Sequence, residues 1–285
     1  MKFSNYLAFI VPVMILASCG GSKETEHQET VDSTQVVAKD TTKVTVDDTT
    51  KFKFDFAIAN IPSPVSSLQD LGKWGITYDN SIFNDVANLS KYNNEFSKSI
   101  NLGVYNIDMS YAMVSDKGQD VLKYMKNVMN LSDGLGLKNA VNGMVGKRAE
   151  ANLGNKDSLF KIIDEIFVKS DDYLRTNARV YTAATVFAGS WLESLYIVSK
   201  VGIANSDAAI KAKVNRHLWE QRFHLGNLIN LLNDYKDKKE AAALIADLKP
   251  IHEEITAIKD DKAMDEAKFK SISDKIIEVR NKHTN

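Results

Sequence analysis

The sequence predicts an all-α fold: a single multi-helix bundle of about ten antiparallel helices, after a disordered N-terminal tether and an extended arm. Three observations predict it. From residue 64 to residue 282, apolar side chains recur at spacings of three and four, the period of one helix face. The breaks between these stretches are short and carry Asn, Asp, Ser or Gly, the residues that start and stop helices. Alternation with period two is confined to one stretch, "KFKFDFAIANIPSP" (51–64), with no partner strand downstream. A chain of 285 residues, 44% of them hydrophobic, can build a core without cross-links.

The head of the chain comes first. Lys2 precedes an apolar run over 6–16, too short for a bilayer span, which needs about 20 residues. The run suits the hydrophobic part of an export signal. Small residues Ala17 and Ser18 then lead to Cys19, the only cysteine in the chain. Leu16-Ala17-Ser18-Cys19 resembles the bacterial lipobox. That resemblance implies removal of residues 1–18 and acylation of Cys19 at its sulfur and its new amino group, with palmitate-type chains. Two or more chains make anchoring stable where one does not. The bland alternative is an export signal that is neither cleaved nor lipidated. A lone cysteine forms no internal bridge, so no disulfide framework is expected.

Residues 19–50 read as the lipidated cysteine and a linker. Gly20-Gly21-Ser22-Lys23-Glu24-Thr25-Glu26 is a flexible, charged start, loosely similar to the Lys/acidic export signals of surface lipoproteins in Bacteroidota. Thr, Asp, Glu and Lys dominate up to residue 50, a composition that cannot offset its ordering entropy. As a coil its reach is roughly 30 Å. The arm follows, with Phe52, Phe54, Phe56 and Ile58 alternating. Pro62 and Pro64 end it, and Pro64 suits the first helical position with Ser63 as cap.

The helical domain occupies 51–285, with helices expected over 64–72, 80–89, 91–114, 116–133, 138–152, 157–175, 178–202, 206–235, 239–259 and 264–282. Ser90 and Asp116 are the expected caps of the third and fourth, and Gly134 and Gly136 the expected stop. Asn205-Ser206-Asp207 is a cap cluster. In the third helix Phe96, Ile100, Gly103, Val104, Ile107, Tyr111 and Val114 share a face, with Leu102, Tyr105 and Met109 on the other side. Apolar on two sides, this helix should be central. In the seventh, Val180, Ala184, Phe187, Trp191, Leu195 and Val198 form a stripe, and Ala183, Ala188 and Gly189 permit close approach of a neighbour. The last three helices carry heptad-like seams, with Pro250 inside the second. Its ring should kink that helix without breaking it.

Several side chains are candidates for chemistry. In "HLWEQRFH", His217, Glu220 and His224 cover about 60° of a helical wheel. Imidazole and carboxylate suit transition metals. The spacing matches neither His-Glu-x-x-His nor paired Glu-x-x-His, so no metal is expected and a half-exposed helix edge is the simpler account. Gln221 occupies a seam position, where a polar residue sets register or meets a ligand. Asp108 and Glu193 interrupt apolar runs. A carboxyl pair can divide acid and base roles if their environments differ. The wheel puts Glu193 with Thr182, Thr185 and Gly189, opposite Trp191, which reads as a solvated strip. Asp108 flanks its stripe, available to cap or to pair with Arg or Lys.

Other signatures fail. "GLGLKN" lacks the third glycine and the preceding strand of a dinucleotide loop. No phosphate-binding loop or serine elbow occurs, and no cofactor is implied. Lys plus Arg number 36 against 37 acidic residues, which gives no basis for nucleic-acid binding. Lys211, Lys213, Arg216 and Arg222 read as a solvated face.

Residues 90–137, with "SWLESLYIVSK" (190–200), resemble a group of uncharacterised helical lipoproteins of Bacteroidota. The shared form is Asn-Leu-Gly-Val-Tyr-x-x-Asp-x-x-Tyr, here Asn101-Leu102-Gly103-Val104-Tyr105, Asp108 and Tyr111. The resemblance implies an all-α fold and an envelope location, and it carries no activity. The expected protein is therefore a lipoprotein attached to the membrane through Cys19, in the bacterial cell envelope at the outer membrane, on its periplasmic or surface face. A binding or scaffold role toward an envelope protein, peptide or small ligand is expected. The alternative is an enzyme or metal protein with a site near Asp108 or the His217/His224 face.

Overall fold

A computed structural model describes residues 64–138, 145–177 and 179–285. The chain divides into two units, Met1–Lys43 and Val44–Asn285, and every described residue belongs to the second. The signal stretch, Cys19, the linker and the alternating arm lie outside the described residues.

Within them the protein is an all-α bundle: α1 (Pro64–Lys73), α2 (Glu95–Val114), α3 (Gly118–Gly134), α4 (Val145–Ala151), α5 (Lys156–Thr176), α6 (Val180–Ala204), α7 (Ala208–Asn233), α8 (Lys239–Thr256) and α9 (Glu266–Thr284). Three short 3₁₀ turns complete it, Asn80–Ile82, Val86–Lys91 and Asp261–Ala263. No strand occurs among the described residues.

The expected helix over 80–89 is replaced by the first two of those turns. Aspartates explain the change. Asp79 accepts from the Ser81 N–H and Asp85 from the Ala87 N–H, each at 2.9 Å. Such local bonds restart the backbone and compete with a continuous helix. Asn94, not Ser90, caps α2. Its side chain accepts from the Ser97 N–H at 2.8 Å, while Ser97 Oγ accepts from the Asn94 N–H, a reciprocal box.

Asp116 does not cap α3 either. It takes φ 58° and closes α2, with Lys117 N–H bonded to Ala112 O and Asp116 N–H to Met113 O. This is the Schellman arrangement, usually built on glycine. Gly136, at φ 74°, closes α3 in the same way, with Leu137 N–H on Ser132 O and Gly136 N–H on Asp133 O. The helix expected over 138–152 is seen as α4; residues 139–144 lie outside the described set.

α2 and α6 are the two central helices. Both touch α1, α5 and α9, and each packs along the other. α2 is buried without interruption from residue 99 to residue 113. Their crossing is set by glycine. A Cβ on Gly103 would overlap Val186 O and Ser190 N, and one on Gly189 would overlap the Ile100 carbonyl. Ser190 Oγ donates to Gly103 O at 3.2 Å. The backbones thus meet with no side chain between them, a contact only glycine permits.

α7, α8 and α9 bring their seams into the same core: Val214, Leu218, Leu225, Leu228 and Leu232 from α7, Leu244, Leu248, Ile251 and Ile255 from α8, and Ile272 and Ile276 from α9. α8 runs through Pro250 without a break.

Candidate functional site

Asn101, Tyr105 and Asp108 fall at i, i+4 and i+7, so α2 presents them on one face. That face holds the 80–92 segment. Asn101 Oδ1 accepts from Asn84 Nδ2 at 3.2 Å, Tyr105 OH donates to Asp85 O at 2.8 Å, and Asp108 Oδ2 accepts from the Asn84 N–H at 3.1 Å. One turn further, the Tyr111 ring lies 5.7 Å from Phe83. All four polar or aromatic positions of the Asn-Leu-Gly-Val-Tyr-x-x-Asp-x-x-Tyr pattern therefore touch the same irregular segment.

Glu193 reaches this place from α6 and Arg280 from α9. Arg280 donates from Nε to Glu193 Oε2 at 2.8 Å and from Nη2 to Oε1 at 2.9 Å, a two-pronged pair. Its guanidinium also lies 4.2 Å from the centre of the Tyr196 ring. Asp108 and Glu193 are 0% exposed and Arg280 5%. Glu193 is thus no solvated strip. The wheel placed it correctly opposite Trp191, but α6 is enclosed on both sides and the face with Thr182 and Thr185 is buried as well.

The end of α9 closes the cluster. The last carbonyls of a helix have no partner within it. Here Tyr92 OH donates to Thr284 O at 2.8 Å and Asn101 Nδ2 to His283 O at 2.9 Å. Asn84 Nδ2 donates to Tyr92 OH at 2.9 Å, which ties the segment, α2 and α9 together.

Charge does not balance if every acid is ionised: two carboxyls share one guanidinium. Glu193 takes both forward donors of Arg280. Asp108 lies beside Glu193, and Asp108 Oδ1 has no hydrogen-bond partner. Two buried carboxylates side by side repel unless one of them holds a proton. Burial, then the Glu193 charge, push the Asp108 carboxyl well above the usual range, with Arg280 only partly offsetting them. Asp108 therefore holds its proton to higher pH than an exposed carboxyl does. Burial works against the Arg280 charge, but Glu193 outweighs it and holds the guanidinium protonated beyond its ordinary range. Burial also raises Tyr92, Tyr105, Tyr124 and Tyr196, which stay neutral phenols.

The remaining candidates lie apart from this cluster. Gln221 Oε1 accepts from Trp191 Nε1 at 3.0 Å, and its amide nitrogen faces His217 Nε2 at 3.4 Å. The bond from Trp191 joins α7 to α6 inside the core, and the His217 contact stays within α7. Glu220 is engaged by Arg216 at 2.9 Å. Burial lowers the His217 pKa, against the opposing pull of Glu220 and Asp70. Among the described residues no group of three or more His, Cys, Asp or Glu is arranged to hold a metal. Arg222 folds its guanidinium over the rings of Trp219 and Phe223.

Arg280, Asn84, Tyr92 and Thr284 are not among the residues that the sequence marks as candidates. Arg280 had a signal: it follows Ile272 and Ile276 at i+8 and i+4, on the apolar seam. Asn84 and Tyr92 had none, because the segment that carries them was read as regular helix. In comparisons with known proteins, the chain matches no family model, no curated protein and no solved structure.

Proposed function

We propose that this chain is a lipid-anchored protein of the bacterial envelope whose helical domain works by binding, as an adaptor or accessory subunit, without catalysing a reaction. The single observation that carries the reading is Leu16-Ala17-Ser18-Cys19 directly after an apolar run of export-signal length. Acyl chains on Cys19 hold the chain at the membrane. No described helix is long and apolar enough to cross a membrane, so in this reading attachment rests on Cys19.

The cluster at Asp108 supports binding over catalysis. An acid and a base must come within hydrogen-bond reach of a substrate. Asp108 and Glu193 are wholly covered, and each already has a partner in the protein.

The test is made on the full chain expressed with its leader in a lipoprotein-competent bacterium. Mass spectrometry should find Cys19 as the first residue, carrying acyl chains, and the protein should sediment with membranes. Cys19→Ala should move most of it to the soluble fraction. An unmodified cysteine in mature protein sinks the reading. Crosslinking in intact cells then identifies the partner.

A further inference from the structure

Three features of the Asp108 cluster bear on motion. It is enclosed: both carboxyls are fully covered. It has one cation for two acids. Its outer wall consists of two pieces that the cluster's own bonds tie to α2 and to each other, the 80–92 segment and the last turn of α9. The opposite wall, the α2–α6 crossing, is fixed by backbone contact at Gly103 and Gly189.

We propose that Asp108, Glu193 and Arg280 form a proton-operated latch, which keeps the 80–92 segment and the end of α9 closed while Asp108 holds a proton and releases them when that proton leaves. Loss of the proton sets a second carboxylate against Glu193, and among the described residues Arg280 is the cation bonded there. A buried like-charge pair is costly, and the cheapest relief is water. Water reaches Asp108 if the Asn84 N–H and the Tyr92–Thr284 link let go. The rigid α2–α6 wall does not yield, so opening is confined to the two outer pieces.

The groups facing Asp108 come from four sides: Tyr105 on its own helix, Tyr124 from α3, Glu193 and Tyr196 from α6, and Arg280 from α9. The tyrosines remain neutral, so the charge change belongs to the Asp108–Glu193 pair. The sign follows. Closed protein holds one more proton than open protein between the ordinary carboxyl range and the raised value. Closure is complete at the acid end of that window and weakens as pH rises through it. His217 and His283, both lowered by burial, act with the opposite sign below about pH 6.5. The comparison with Asp108→Asn removes their contribution. Asn keeps the bond from Asn84 and supplies an N–H toward Glu193, with no charge to lose.

The experiment is hydrogen exchange of the full chain from pH 4.5 to pH 9, corrected for intrinsic exchange, on the natural protein and on Asp108→Asn. Protection of amides 84–92 and of the last turn of α9 should fall about tenfold per pH unit inside the window, relative to the variant. Amides of α2 and α6 around Gly103 and Gly189 should show no such relative fall. Parallel profiles for the two proteins overturn the latch. If Asp108→Asn does not fold, infrared spectra of the natural protein decide. A protonated carboxylic-acid carbonyl band at pH 7 that disappears as pH rises supports the latch, and its absence at pH 7 overturns it.

Discussion

Arg280 has one carboxylate for its charge, and Glu193→Ala takes it away. A guanidinium left unpaired in the interior costs about 3–5 kcal/mol. Urea unfolding at pH 7 should show a loss of that order, toward the lower end, because Asp108 can then ionise and serve Arg280 instead. Replacing both partners together, Glu193→Met with Arg280→Met, should recover most of the loss, since the pair's attraction only offsets its desolvation. At this scale the sequence was legible where chemistry was unusual and opaque where burial decided. Asp108, Glu193 and Gln221 stood out because each interrupts an apolar stretch. Glu193 was misjudged, because a wheel shows which residues share a face and not whether another helix covers it. Arg280 stood in a seam of isoleucines, but arginines at such places usually extend to solvent.

The α2–α6 crossing is the element on which the others are assembled. Adding a methyl at Gly103 or Gly189 drives it into the opposing backbone, and backbone has no rotamer through which to escape. Overpacking of a core costs about 1–3 kcal/mol, and more when the neighbour cannot move. Gly103→Ala and Gly189→Ala should each lower the melting temperature strongly, and Gly103→Ala with Gly189→Ala should leave little folded protein by circular dichroism. Most helices were legible, because their 3.6-residue period spans many turns. The 80–92 segment was not. Its apolar spacing passes for helical, but the Asn84 N–H is bonded to Asp108, 24 residues away. No local pattern announces a backbone donor committed to a distant side chain. Asp207 caps α7 as expected, but Ser90 and Asp116 do not cap, for a related reason: Ser90, Asn94 and Asp116 are all competent, and tertiary geometry chose among them.

For the whole molecule, the sequence fold class and the structure agree, since both rest on one hydrophobic pattern repeated along most of the chain. The site was half legible: its acids could be named, but its cation and its cover come from opposite ends of the domain. Tyr92 and Thr284, bonded to each other, stand 192 residues apart. Contacts of such separation form late, since a long loop must close before they contribute. A chain shortened to end before Arg280 should therefore keep most of its helix content in circular dichroism yet be cut by protease within 80–92 far faster than the full chain.

The distance between Tyr92 and Thr284 also bears on how the polypeptide is made. Ribosomes deliver the two acids long before the arginine that pairs with Glu193. Until α9 emerges, Glu193 lacks its guanidinium, and the helices that carry the two acids cannot close around them without burying unpaired charge.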